Sequence, residues 1–219
     1  VLGDDGPSPL PEPEPGETAP RSEIVFLDAG VDNGEQLLAD LMADGGRHIT
    51  EIDIIDADTD GVAQIARVLA GQNQSVDAIH ILSHGAAGQI QLGSATLSTG
   101  SLDGYAGQLN DWGSALADTG DILIYGCDLA ADEQGRALVD AIGVMTGADV
   151  AASVDPTGHA AQGGDWDLEY RAGVVDVAAF SPGEFPVWQG TLASITVNTT
   201  ADVLDAAGNL VREFRKDAG

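Results

Sequence analysis

The chain has a single cysteine, Cys127, in 219 residues. No disulfide can form within it, and no Cys/His cluster has the spacing of a zinc site. Neither staple holds this fold, and the lone thiol needs its own explanation. Basic residues are scarce: 8 Lys and Arg stand against 36 Asp and Glu, a formal charge of −28. That balance repels phosphate backbones and anionic headgroups, which argues against nucleic acid and anionic membranes as partners. There is also no apolar run of roughly eighteen residues to span a bilayer, and no basic-then-apolar leader. Since the sequence opens at Val1, that absence leaves localisation open.

Hydrophobic residues make up 43%, enough for one packed domain of roughly 150 residues with appendages. Residues 1–22 alternate proline with acidic and small residues and read as an extended linker. From Glu23 to about residue 190, short apolar runs alternate with amphipathic stretches, the pattern of βαβ units feeding a parallel sheet. Strands are expected at Ile24–Asp28, Ile49–Ile55, Ala78–Ser83, Ile122–Tyr125 and Asp149–Ser153. A further pair is expected at Trp166–Tyr170 and Val174–Val177. Helices are expected through about Ala43, after a cap at Asp58 or Thr59, after a cap at Ser101, and from Asp132 to Thr146. A small hairpin turns at Gly93-Ser94. Residues 191–219 read as a β-rich tail or the start of a next module, with Ile195–Val197 and a hairpin around Gly208.

In an open parallel sheet, reactive groups gather where loops leave the carboxyl ends of the strands. His84 and Cys127 each sit one or two residues past such an end. If their strands are neighbours, the ~4.8 Å strand spacing brings the side chains within reach. A thiol of ordinary pKa ~8.5 is mostly protonated at neutral pH, so an imidazole that takes its proton makes it a competent nucleophile. Gly85 follows the histidine and Gly126 precedes the cysteine, allowing tight turns and offering backbone N–H groups to an oxyanion.

The segments Ile79-His80-Ile81-Leu82-Ser83-His84-Gly85 and Ile122-Leu123-Ile124-Tyr125-Gly126-Cys127-Asp128 resemble the histidine and cysteine motifs of caspase-like (clan CD) peptidases. Over about 24–190 the chain further resembles the DUF4347 domain found near the N-termini of very large secreted or surface proteins and adhesins of bacteria. Gly163-Gly164-Asp165-Trp166-Asp167-Leu168 and Trp188-Gln189-Gly190 add to that match. The resemblance implies a caspase/hemoglobinase-like α/β fold, a three-layer αβα sandwich with a mostly parallel sheet, here with a short β-type C-terminal extension. It implies His84 and Cys127 as a catalytic dyad, the N–H groups of Gly85 and Cys127 as oxyanion donors, a polypeptide substrate that includes the chain's own flanks, and a secreted or surface location. No cofactor is required; calcium is kept as an optional structural or activating ion. Relatives with basic specificity place an acid in the primary pocket, a role that Asp28, Asp128 or Asp155 is expected to fill. The cysteine context differs from that of caspases proper, so aspartate specificity does not carry over.

Plainer roles stand beside these. A lone cysteine commonly packs as a small hydrophobe, and a lone histidine at a loop start commonly holds a hydrogen bond. His80 lies about 13 Å along the strand from His84, too far to share a metal, and reads as packing or support. His48 and His159 read as surface or loop residues, with His159 in a Gly-rich segment that can approach the site. The run Asp53, Asp56, Asp58, Asp60 lacks the twelfth-position glutamate of a calcium loop and reads as a solvated turn with a helix cap. Trp112, Trp166 and Trp188 read as core. Two other functions therefore stay open: a catalytically silent binding or anchoring module, and a calcium-stabilised spacer.

Overall fold

The structure is a computed structural model. It describes residues 21–193 except 44 and 46, and the backbone of two short strands, Val203–Leu204 and Leu210–Val211. Those two pair antiparallel, as a hairpin around Gly208 requires. Residues 1–20 of the expected linker and the strand at Ile195–Val197 lie outside the described residues.

Elements alternate along the chain as β1 (Glu23–Asp28), α1 (Gly34–Ala43), β2 (Ile49–Ile55), α2 (Gly61–Ala70) and β3 (Val76–Leu82). A small antiparallel sheet follows, of β4 (Gly85–Ala86), β5 (Gln89–Leu92) and β6 (Ala95–Ser98). A 3-10 turn at Leu102–Tyr105 leads into α3 (Ala106–Ala115), β7 (Leu116–Tyr125), α4 (Glu133–Thr146), β8 (Asp149–Ala152) and β9 (Tyr170–Ala172). The main sheet runs β2-β1-β3-β7-β8-β9. All its pairs are parallel except the last.

Strand parity divides the core into two apolar layers. Ile24, Phe26, Ile79, Ile81, Ile122 and Ile124 face α2, α3 and α4, burying Ile65, Leu69, Trp112, Leu138 and Ile142. Val25, Leu27, Leu82, Leu123 and Tyr125 face the other way, toward Leu37 and Leu41 of α1. The remainder of that second face is covered by irregular chain, through Trp166, Phe180, Phe185, Trp188 and Leu192. The chain is thus a three-layer αβα sandwich in which one outer layer is only partly helical. Among the described residues, no helix is long and apolar enough to cross a membrane.

Several local expectations are corrected. Asp60, not Asp58 or Thr59, caps α2: it has extended backbone and its Oδ1 accepts from Ala63 N at 3.1 Å. Ser101 caps no helix, since its hydroxyl donates instead to Thr96 O at 2.9 Å and accepts from Ser98 N. Neither Trp166–Tyr170 nor Val174–Val177 is a strand. The strand is Tyr170–Ala172, and Asp176 and Val177 give their N–H groups to the Asp121 carboxylate rather than to a ladder. Thr191–Ala193, read from sequence as tail, is inserted into the domain.

That irregular cover is pinned by buried polar side chains. Asp40 of α1 accepts from Val187 N and Trp188 N at 3.0 and 2.8 Å. Arg47 donates to Ala178 O, Ala179 O, Glu184 and Glu23. His80 donates through Nε2 to Glu23 at 3.0 Å and meets the Tyr125 hydroxyl through Nδ1, while that hydroxyl accepts from Phe180 N. His80 is therefore structural support, as its place in β3 suggested.

Candidate active site

β3 and β7 are adjacent and parallel, with Leu82 opposite Tyr125. The chain continues from them as Ser83-His84-Gly85 and Gly126-Cys127-Asp128, so the two loops leave the sheet side by side. They touch at the glycines. A Cβ on Gly85 would lie 2.6 Å from the Gly126 carbonyl carbon and 2.9 Å from Cys127 O, so no larger residue fits there. Asp128 takes the left-handed region at φ 58°, a conformation an aspartate tolerates better than most residues, and this turns the chain sharply after the cysteine.

The imidazole of His84 is held by main-chain carbonyls. Nε2 donates to Gly30 O at 2.8 Å, and Nδ1 lies 3.2 Å from Leu192 O. Both partners are acceptors, so the tautomer with its proton on Nε2 makes the shorter bond and turns the Nδ1 lone pair toward the Leu192 oxygen. Gly30 is set in turn by Asp28, whose carboxylate accepts from Gly30 N at 2.8 Å and from Gly93 N at 2.6 Å. Both Asp28 oxygens are thus engaged within the loops that carry His84, and the side chain is buried. The group that orients the imidazole is a carbonyl, which no side-chain motif reveals.

Cys127 is fully buried. Its sulfur accepts from Thr157 N at 3.1 Å, with its own N–H and that of Leu192 close by. Burial pushes the thiol up to about 11, the Asp128 charge adds to the rise, and those N–H groups oppose it. No hydrogen bond joins the thiol to His84: the S–H donates to Thr157 O at 3.5 Å, the oxygen that also receives Leu192 N–H, while His84 Nδ1 faces Leu192 O. Of the two expected oxyanion donors, Gly85 N already donates to Leu192 O at 3.4 Å.

Of the acids expected in the substrate pocket, Asp28 holds the turn against His84, while Asp128 and Asp155 lie together beyond the cysteine. Asp128 is partly exposed and donates its N–H to Asp155 O. Asp155 lies with Asp165 and Glu169, one oxygen of each within 4.8 Å of the others. Burial, and then the charges of Glu169, Asp165, Asp128 and Asp167, raise Asp155 above the usual carboxylate range. Asp165 and Glu169 already accept from Asp167 N and Val154 N. His159 contributes main chain, its N–H donating to Gly190 O at 2.8 Å.

His84 and Cys127 thus follow neighbouring strands of an αβα sandwich, at the carboxyl edge of the sheet where clefts of such folds commonly lie. A family model described as a domain of unknown function, DUF4347, matches residues 24–192. The chain belongs to this family. No curated protein matches it.

Proposed function

We propose that the domain is a cysteine endopeptidase of the caspase-like kind, acting on polypeptide and processing the large secreted or surface protein to which it belongs. The supporting observation is that His84 and Cys127 leave adjacent parallel strands beside Leu192, whose carbonyl oxygen lies 3.2 Å from His84 Nδ1 and whose N–H shares the Thr157 oxygen with the thiol. In this reading Cys127 Sγ attacks a scissile carbonyl while its proton passes to His84 Nδ1. Gly85 and Cys127 N–H groups hold the oxyanion. The C–N bond then breaks as His84 gives the proton to the leaving nitrogen, and water hydrolyses the thioester to a carboxylate and the free thiol. The Gly30 carbonyl keeps the imidazole in the tautomer this requires.

Calcium enters only as a brace. A hard cation takes about six to eight oxygens, and Asp155, Asp165 and Glu169 supply carboxylates on the loop that also carries Thr157.

The direct test is to incubate the wild type, Cys127→Ala and His84→Ala with and without calcium. New termini are read by mass spectrometry, and Cys127 is probed with thiol-reactive peptides. We expect cleavage in the wild type alone. Cleavage that survives Cys127→Ala removes the proposal.

One observation favours a second reading. The thiol is buried, protonated at neutral pH and not bonded to His84. A catalytically silent binding module would have these properties, and it would show no Cys127-dependent cleavage under any of the conditions.

A further inference from the structure

Residues Gly190–Ala193 do not pack as an ordinary chain end. They run as an extended strand between two loops of the site. On one side Leu192 N donates to Thr157 O at 2.9 Å, His159 N donates to Gly190 O at 2.8 Å, and Thr191 bridges Gly158 in antiparallel fashion. On the other, Gly85 N donates to Leu192 O, and Ala193 bridges Gly85 in parallel fashion. The channel is shaped for this chain: a Cβ on Gly158 would lie 2.5 Å from Gly190 O. Main-chain pairing of an extended segment, with one side chain taken into a pocket, is how grooves of this type recognise peptides.

Each reacting group finds its counterpart on this segment. The Leu192 carbonyl oxygen receives the N–H expected of the oxyanion hole, and His84 Nδ1 faces the same oxygen at 3.2 Å. The Leu192 N–H and the Cys127 thiol donate to the same acceptor, Thr157 O, at 2.9 and 3.5 Å. The Leu192 side chain is fully buried in the apolar layer that also contains Cys127, Trp166 and Trp188.

We infer that Gly190–Ala193 occupies the channel as a substrate in cis, with Leu192 in an apolar primary pocket and Leu192–Ala193 as the bond to be cut. This rests on the peptidase reading and specifies its substrate. Cys127 Sγ bonds to the Leu192 carbonyl carbon, and the Leu192–Ala193 C–N bond breaks. The thiol proton reaches the Ala193 amine by way of His84. Water then releases the Leu192 carboxylate and restores the thiol, with no other reagent. The site therefore selects a large aliphatic residue before the cut.

The test uses the full 219-residue chain, incubated alone and followed by mass spectrometry. A peptide ending Gly-Thr-Leu with a C-terminal acyloxymethyl ketone probes access to Cys127. We expect new termini at Leu192 and Ala193, lost in Cys127→Ala. Leu192→Ala should slow the cut by on the order of tenfold or more. Should that variant fold poorly, Ala193→Pro keeps Leu192 in place, and it should stay uncut with an unchanged melting temperature and refuse the probe. Cys127-dependent cleavage at other bonds only, in this chain or in an added protein, overturns the inference and leaves the peptidase standing. Labelling of the intact, uncut chain overturns it too, because an occupied channel admits no probe. With neither cleavage nor labelling in any form of the protein, both readings fall.

Discussion

At the scale of single residues, the glycines of the two loops carry more of the argument than their motif neighbours. Gly85→Ala drives a methyl into the Gly126 and Cys127 backbone, which has no flexible end to yield. We expect it to cost about 1–3 kcal/mol by overpacking and to abolish Cys127-dependent cleavage, as urea denaturation and a cleavage assay together will read. The sequence made His84 and Cys127 legible because each follows an apolar run ending in a small residue. Gly30 and Leu192 were not legible, because what they offer is a carbonyl and an N–H that every residue owns. Asp28 was singled out, and its observed work is to hold Gly30 and Gly93.

At the scale of elements, β1, α1, β2, α2, β7 and α4 follow from periodicity and capping. The residues from 174 to 188 do not: Val174–Val177 reads as a strand, yet its N–H groups at Asp176 and Val177 go to Asp121 instead of a ladder, and the rest has no sustained period. Their order comes from distant side chains, and Asp40 illustrates it. Its alternating place on α1 marks it as buried, yet nothing local announces that its carboxylate binds two N–H groups nearly 150 residues away. Asp40→Ala leaves those N–H groups unpartnered and should cost about 1–3 kcal/mol, seen as a lowered denaturation midpoint. Asp40→Asn, which retains an acceptor oxygen, should recover part of it.

For the molecule as a whole, stability at alkaline pH reports the covered thiol. The folded value of Cys127 is raised to about 11, well above the ordinary thiol range. A group raised on folding contributes stability that is complete below the unfolded value and lost as pH rises through the folded one. The wild type should therefore lose melting temperature between about pH 9 and 11 more steeply than Cys127→Ala, other groups being common to both. Parallel melts of the two proteins read this difference; equal slopes would show a thiol open to water. The irregular layer over the second face has one more consequence, which concerns time. The surroundings of the thiol and imidazole come from residues 30, 85, 157 and 192, and the last of these also closes the face. On a ribosome, the imidazole and thiol are synthesised long before Leu192. Their pairing with it waits for the last segment of the domain, so the arrangement follows the sheet that carries it, timed by the emergence of the very strand it grips.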